Sequence, residues 1–194
     1  MLSIDGDTLY AMAEQEQDEQ LMLRYAAGDV DAFEVLYQRH KGPVYRYMLN
    51  LCRKEAVAEE LFQEVWIKLI NARENYVASA KFTTYLYKLA HNQFIDHYRR
   101  QNVRIVEERT EYMDVYESGQ NNPDEQMQLS QLQGAFFNVL ASLNHEQREV
   151  FLLREESNMN LQEISETVGI SHEAAKSRLR YAIKKLRSII TNET

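Results

Sequence analysis

A basic stripe near the C-terminal end of the chain has residue types that suit contact with nucleic acid. Between Ser171 and Arg187 there are six lysines and arginines against one acid, Glu173. Lysine and arginine neutralise phosphates, and arginine also reads base edges. The stripe therefore predicts contact with duplex DNA, and the solvated face of a plain helical hairpin is the alternative. The candidate contacts recur at helical spacing and include one serine: Lys176, Ser177, Arg180 and Lys184. Arg178 is a further basic candidate beside them.

The residues in front of this stripe predict the elements that would hold it. Asn160 is the expected N-cap of a short helix, and Glu163 stands at its third position, which is a variant of the capping box. Gly169 would form the turn, Ile170 would fill the angle between two helices, and Ser171 would cap the second helix. This order predicts a helix-turn-helix whose second helix enters the major groove.

A second candidate nucleic-acid surface lies between residues 76 and 100, where aromatic and basic residues are interleaved. This composition suits single-stranded DNA, because unstacked bases pack on rings while cations meet the phosphates. Helical spacing assigns some of the rings, such as Phe82 and Phe94, to a core instead. Asn92 has an amide that could read a base edge or, alternatively, fix a loop by donating to a loop carbonyl. The candidate contacts are Tyr76, Lys81, Lys88, Asn92, Arg99 and Arg100.

An acidic stripe lies on the polar face of a strongly amphipathic helix predicted over 56–70. Paired carboxylates can act as acid and base, but on a polar helix face a solvated role or a basic protein partner is the simpler interpretation. The stripe consists of Glu59, Glu60, Gln63 and Glu64.

Other chemistry finds little support in the residues. No two histidines stand three or four residues apart, Cys52 is the single cysteine, and neither a glycine-rich phosphate loop nor a nucleophile elbow occurs. We expect no metal, no cofactor and no catalytic activity.

The whole chain predicts an all-α protein. Glycine and proline are scarce, apolar residues recur at helical spacing, and no sustained alternating run suggests strands. No apolar run approaches a membrane span, and the acidic N-terminus does not fit a signal peptide, so we expect no membrane insertion. A single cysteine excludes an internal disulfide and suits the reducing cytoplasm.

Four segments are predicted along the chain: an acidic extension over 1–19, a helical domain over 20–100, a flexible linker over 101–125, and a second helical domain over 126–194. The net charge of −8 resides mostly in the extension and the linker, so the body is close to neutral. We expect low DNA affinity without a partner. In the first domain, Gly28-Asp29 should separate two helices, and Gly42-Pro43 should break the next.

Three motifs together resemble one family, the extracytoplasmic-function (ECF) sigma factors of bacterial RNA polymerase. They are AEELFQEVWIKL at 58–69, KFTTYLYKLAHNQFIDHYRR at 81–100, and the segment from LNHEQREVFLLREESNMNLQEISETVGIS to KSRLRYAIKKLR at 143–187. The likeness spans residues 20–100 and 126–190, and it implies a promoter-specific initiation factor. The implied partners are core RNA polymerase, duplex and melted promoter DNA, and an anti-sigma factor.

The resemblance also implies roles for matching positions. Glu59, Glu60, Gln63 and Glu64 would face the polymerase clamp. Tyr76 and Asn92 would line a pocket for a flipped base of the −10 element. The −35 element would meet Lys176, Ser177, Arg180 and Tyr181.

Two rival interpretations remain open from the residues. A stand-alone helix-turn-helix regulator would need a dimer surface and would bind a palindrome without polymerase. A helical enzyme is disfavoured because no catalytic constellation is present. Co-elution with core polymerase separates the first rival from a sigma factor, and a turnover screen addresses the second.

Overall fold

The structure, a computed structural model, describes residues 16–107, 134 and 136–192. Within these ranges the regular structure is helical and contains no strand, so the predicted all-α class is confirmed. Most of the predicted extension and linker lies outside the described residues. The helices are α1 (Asp18–Ala26), α2 (Val30–Cys52), α3 (Glu55–Ala72), a 3-10 turn (Arg73–Asn75), α4 (Phe82–Glu107), α5 (His145–Ser157), α6 (Leu161–Val168) and α7 (His172–Asn192).

Helices α1 to α4 form what we call the first unit, residues 16–107. Helix α2 packs against α1 and α3, and α3 packs against α4. The predicted separation of α1 from α2 is confirmed. Gly28 has a φ of +104°, which a residue with a side chain rarely adopts, and the Asp29 carboxylate accepts hydrogen bonds from the backbone N–H groups of Asp31 and Ala32.

The predicted break at Gly42-Pro43 is wrong, because α2 runs through both residues from Val30 to Cys52. An internal proline costs a helix about 3 kcal/mol. The apolar face on either side of it is continuous and offsets that cost, since burial of one large aliphatic side chain contributes about 1.5–3 kcal/mol. Its buried members are Ala32, Val35, Leu36, Val44, Tyr47, Met48 and Leu51.

Helix α4 also differs from expectation, since it continues to Glu107 rather than ending near residue 100. No proline or glycine stands between 100 and 107 to stop it. The predicted apolar core of this helix is confirmed, with Phe82, Leu86 and Ala90 fully buried and Phe94 nearly so.

The second unit, residues 136–192, consists of a helical stretch over 136–142 followed by α5, α6 and α7. The predicted capping box is confirmed: Asn160 Oδ1 accepts from the Glu163 N–H at 3.0 Å, and Glu163 Oε2 accepts from the Asn160 N–H at 2.8 Å. Gly169 has a φ of +73°, and Ser171 Oγ accepts from the Ala174 N–H. The helix-turn-helix therefore forms as its residues predict.

The two units pack directly on each other. Helix α5 lies against α2 and also contacts α4, while α6 lies against α4. This packing was not predicted from the sequence. Among the helices that the structure describes, none combines the length and the low polarity that crossing a membrane requires.

Candidate nucleic-acid and polymerase interfaces

Helix α7 carries the exposed basic face that the sequence predicts. Its inner side is held by Ala175, Ala182 and Leu186, which are buried against α5 and α6. The candidate duplex contacts on the outer side are all exposed: Lys176, Ser177, Arg180, Tyr181 and Lys184. Because Lys176, Arg180 and Lys184 stand four residues apart, their charges form a row along the helix that could follow a phosphate backbone.

Arg178 lies apart from this row. Its guanidinium pairs with the Glu146 carboxylate of α5 at 2.8 Å, and its side chain is only 23% exposed. The ion pair fastens α7 to α5, so a DNA contact by Arg178 would first have to break it. Its predicted role in DNA binding stays a prediction.

On α4, three of the candidate strand contacts share one exposed face. Lys88, Asn92 and Arg99 stand four and seven residues apart, which is one side of a helix, and all three are exposed. Among the described residues the Asn92 side chain has no hydrogen-bond partner, so the alternative in which it fixes a loop carbonyl is not observed. Lys81 precedes the helix, and Arg100 lines a groove between α3 and α4.

Tyr76, which was predicted to stack on a base, is only 8% exposed in this conformation. Its ring lies 5.2 Å from that of Tyr85 and 6.5 Å from that of Phe82. Its hydroxyl is buried without a hydrogen-bond partner in the described residues, and burial, helped by nearby Glu19, raises its pKa to about 12. Stacking on a base would therefore require the loop before α4 to move.

The acidic stripe on α3 is exposed at Glu59, Glu60 and Gln63. Glu64 differs, because it accepts a hydrogen bond of 2.5 Å from the buried side-chain amide of Gln93 on α4. Lys68 also donates to Gln93. Glu64 therefore also helps join α3 to α4.

Ile67 is a member of this surface that sequence reasoning missed. It stands one helical turn beyond Gln63 and is 55% exposed, beside the groove between α3 and α4. An exposed isoleucine next to three polar residues is an apolar centre with a polar rim, which is the usual anatomy of a protein interface. The unbroken apolar run from Val65 to Ile67 was the only signal in the sequence.

A buried polar cluster between the two units was also missed. Glu149 of α5 is 1% exposed, and its Oε1 accepts from the Tyr47 hydroxyl at 2.9 Å and lies 2.6 Å from His91 Nδ1. Burial, with Glu149 beside it, holds the pKa of Tyr47 well above its usual value. No sequence motif indicates this cluster, because its three residues are far apart in the sequence. Within the described ranges, no three histidine, cysteine, aspartate or glutamate side chains group as metal ligands would.

Comparison with known proteins finds two family models that match this chain. The family model of sigma-70 region 2 matches residues 36–104, and that of sigma-70 region 4 matches residues 139–188. The ECF RNA polymerase sigma factor SigL of Mycobacterium tuberculosis is 30% identical over 84% of this chain and 90% of its own length. The RNA polymerase sigma factor CarQ of Myxococcus xanthus is 29% identical over 87% and 95%.

Solved structures share the fold. The sigma factor RpoE in complex with the anti-sigma factor NepR from Bartonella quintana aligns with a TM-score of 0.67 at 17% identity, covering 82% of this chain and 96% of that one. CnrH in complex with the cytosolic domain of CnrY aligns with a TM-score of 0.65 at 19% identity, covering 92% and 100%. With its two helical units and its helix-turn-helix, the chain belongs to the ECF sigma factors of RNA polymerase, and its function is to direct promoter-specific initiation of transcription.

Proposed function

We propose a division of labour among three surfaces of this sigma factor. The exposed part of the α3 stripe binds core RNA polymerase, the exposed face of α4 holds the melted −10 strand, and the exposed face of α7 reads the −35 duplex. The observation that carries the proposal is that two DNA-compatible faces of different kinds stand exposed in one chain. A stand-alone helix-turn-helix regulator binds duplex DNA only and would not need the α4 face for a melted strand.

The α7 face is proposed as the duplex reader because a capped helix-turn-helix holds it rigidly. Arg180 lies in the middle of the basic row, with Lys176 and Lys184 one turn away on either side. In this arrangement the outer lysines neutralise phosphates, and Arg180 meets a base edge in the major groove. Ser177 and Tyr181 lie beside this row and are exposed enough to contact the same groove.

The α4 face is proposed as the strand reader. Asn92 offers both a donor and an acceptor to a base edge, and the flanking cations Lys88 and Arg99 are spaced to follow a backbone. Extruding a base costs a few kcal/mol, which hydrogen bonds and stacking in a pocket offset. Tyr76 supplies the stacking face once its loop has moved, with Lys81 and Arg100 as further phosphate contacts.

The α3 surface is proposed as the polymerase contact. Ile67 gives an apolar centre, and Glu59, Glu60 and Gln63 give a polar, negatively charged rim that suits a basic partner. Glu64 contributes through its bond to Gln93, which fixes α4 relative to α3.

We further propose that polymerase carries out all the chemistry, that the chain acts in the cytoplasm with it, and that an anti-sigma factor restrains it. The support for the last partner is the shared fold with RpoE, which was solved with the anti-sigma factor NepR. The purified chain alone should then direct polymerase without phosphorylation or a small ligand.

Binding to core polymerase tests the proposal most simply. The chain should co-elute with core enzyme, and Glu60→Lys should weaken that binding without loss of helicity. Glu34→Lys is a matched control, because Glu34 is also exposed and helical but lies on α2. If the chain instead binds a palindromic duplex as a dimer and ignores polymerase, the proposal is wrong and the regulator interpretation is right.

A further inference from the structure

A cavity of about 420 Å³ lies beside the short connection between α2 and α3. Residues just before α5 and in its first turn form the opposite wall. Of the described side chains that line it, three are full cations, two are imidazoles and none is a carboxylate. The cations are Arg53, Lys54 and Arg148, and the imidazoles are those of His97 and His145. This positive cavity is the reverse of the chain as a whole, whose net charge is −8.

Arg53 is held at this cavity in a conformation that its residue type rarely adopts. It follows the last residue of α2 with a φ of +61°, in the left-handed region, where glycine or asparagine is usual at a helix end. Its Nε is buried and has no hydrogen-bond partner in the part of the chain that the structure describes. Strained residues cluster at functional sites, and a buried donor without an acceptor costs free energy. A ligand acceptor in the cavity would pair with this donor.

Two helices begin at the same cavity. Helix α3 starts after Lys54, and no side chain caps its N-terminus. Helix α5 starts after Asn144, which caps it by accepting a hydrogen bond from the Gln147 N–H. The first N–H groups of a helix carry partial positive charge and are ready donors to an anion, above all where no side chain occupies them. The backbone therefore adds to the positive charge of the side chains.

The acidic residues nearest in the sequence do not neutralise this cavity. Glu55 is exposed and does not belong to the wall. Glu146 pairs with Arg178 of α7 at 2.8 Å, and Glu149 belongs to the buried polar cluster described above. An anion that enters the cavity would therefore meet cations and helix N-termini, with no carboxylate on the described wall to repel it.

Arg148 contributes charge more than direct contact. It is 6% exposed, and its guanidinium donates to four backbone carbonyls at 2.8–3.2 Å, those of Leu51, Leu140, Ala141 and Leu143. These bonds occupy most of the five N–H groups of the guanidinium. A cation held in this way cannot turn away from the cavity, so it attracts an anion that Arg53 and Lys54 contact.

The size of the cavity and the apolar part of its wall indicate a ligand larger than a bare phosphate. Small-molecule sites typically have volumes of about 300–1,000 Å³, whereas one water molecule takes about 30 Å³ of the liquid. A phosphate ion, about the size of a few water molecules, would leave most of the cavity unfilled. Phe94, Tyr98 and Leu143 line the remainder, and a ring or sugar can pack against such side chains.

We propose that this cavity binds a small phosphorylated ligand of the nucleoside diphosphate class. Arg53, Lys54 and the uncapped N-terminus of α3 hold the phosphates, and the base or sugar lies against Phe94 and Tyr98. Because three cations and a helix end face one space, two phosphates bind more tightly than one. The inference does not rest on the proposed function, and it can be tested without DNA or polymerase.

Calorimetric titration of the full chain tests the ligand class, with ADP, GDP, AMP, pyrophosphate and adenosine as probes. ADP or GDP should bind about tenfold more tightly than AMP, and adenosine should not bind measurably. Pyrophosphate should bind more weakly than ADP, because it leaves the apolar wall uncovered. Every titration uses the same ionic strength. Binding of adenosine as tight as that of ADP would overturn the anion site, and pyrophosphate as tight as ADP would overturn the role of the nucleoside.

Arg53→Gly separates loss of the ligand from loss of the fold. Glycine suits a φ of +61°, so the melting temperature of the unliganded protein should not fall, while the affinity for ADP should fall about tenfold. Lys54→Gln, at an exposed position, is a second variant and should also weaken ADP binding. Lys184→Gln is its matched control, because Lys184 is an exposed lysine of the basic row on α7. Equal losses in Lys54→Gln and Lys184→Gln would place the ligand on the α7 face and overturn the proposal.

Cys52 gives a measurement at the site itself. It is the single cysteine and lines the cavity, and burial raises the pKa of its thiol to about 12, so alkylation by iodoacetamide is slow. At an ADP concentration about ten times the parent Kd, alkylation should slow about tenfold in the parent and only about twofold in Arg53→Gly. If ADP binds but leaves the alkylation rate of the parent unchanged, the ligand lies elsewhere and the proposed site is wrong.

Discussion

The two faces that we propose for DNA binding are built in different ways. The α7 face depends on a short local motif: a capping box at Asn160, a left-handed glycine at position 169 and a cap at Ser171. The α4 face depends on tertiary structure, since one side of that helix is covered by the second unit and Tyr76 lies buried in the loop before it. A duplex needs only a rigid convex helix, whereas an unstacked base needs a pocket that opens.

Because the α4 face depends on the core, we expect Tyr76, the proposed stacking residue, to contribute to the stability of the fold. Tyr76→Ala removes a buried aromatic ring and should lower the free energy of unfolding by about 3–5 kcal/mol. Tyr76→Phe removes only the unpartnered hydroxyl, so it should be neutral or slightly stabilising. Chemical denaturation measures both. A large loss for the phenylalanine variant would mean that the hydroxyl has a partner after all.

Arg180 should give the largest effect on duplex binding. Arg180→Ala should cost about 1–3 kcal/mol and relax preference at one −35 position if the side chain meets a base. If it meets a phosphate, all sequences should weaken alike, and the salt slope should fall by about one. Titration of promoter duplex at several salt concentrations separates the two, with Lys41→Ala, an exposed lysine of α2, as the control. No change in affinity or slope would remove α7 from the interface.

Asn92 should affect promoter opening with little effect on stability. Because its side chain is exposed, Asn92→Ala should leave the melting temperature nearly unchanged. The lost base contact should cost about 1 kcal/mol, roughly fivefold, at one −10 base only. Permanganate footprinting on promoters varied at each base measures this, with Asn71→Ala on α3 as the control. Weakening of all promoters alike, together with a lower melting temperature, would favour the loop-anchor alternative.

The smallest predicted effect separates the two roles of Glu163, which are the capping of α6 and the ion pair with Lys81. Glutamine keeps the capping box, so Glu163→Gln should cost little, whereas Glu163→Ala should cost about 1 kcal/mol. Although burial opposes it, hydrogen bonds from Lys81 and the Asn160 N–H lower the pKa of this carboxyl. The stabilisation that the Glu163 negative charge provides is therefore complete above the ordinary pKa of 4.5. It is lost as the pH falls through the lower pKa of this carboxyl in the folded protein. Thermal melts from pH 6 to 3 should show a smaller fall in melting temperature for Glu163→Gln than for the parent protein.

The local features of the fold could be predicted from the sequence, because capping residues, turn glycines and apolar spacing act over a few positions. The helix-turn-helix and the buried stripe of α4 are examples. Gly42-Pro43 was misjudged, since the continuous apolar face of α2 outweighs the local cost of proline. The Glu149 cluster joins residues 47, 91 and 149, and no local pattern specifies such a contact. For the same reason the partial burial of Glu64 by Gln93 could not be foreseen.

The central claim is that one chain reads two promoter elements through two separate faces. Transcription in vitro with core polymerase and a promoter library randomised at both elements tests it directly. We predict that Arg180→Ala changes the selected bases only at the −35 element, and that Asn92→Ala changes them only at the −10 element. If either variant changes both elements together, or neither variant changes any selected base, the account of the two faces is contradicted.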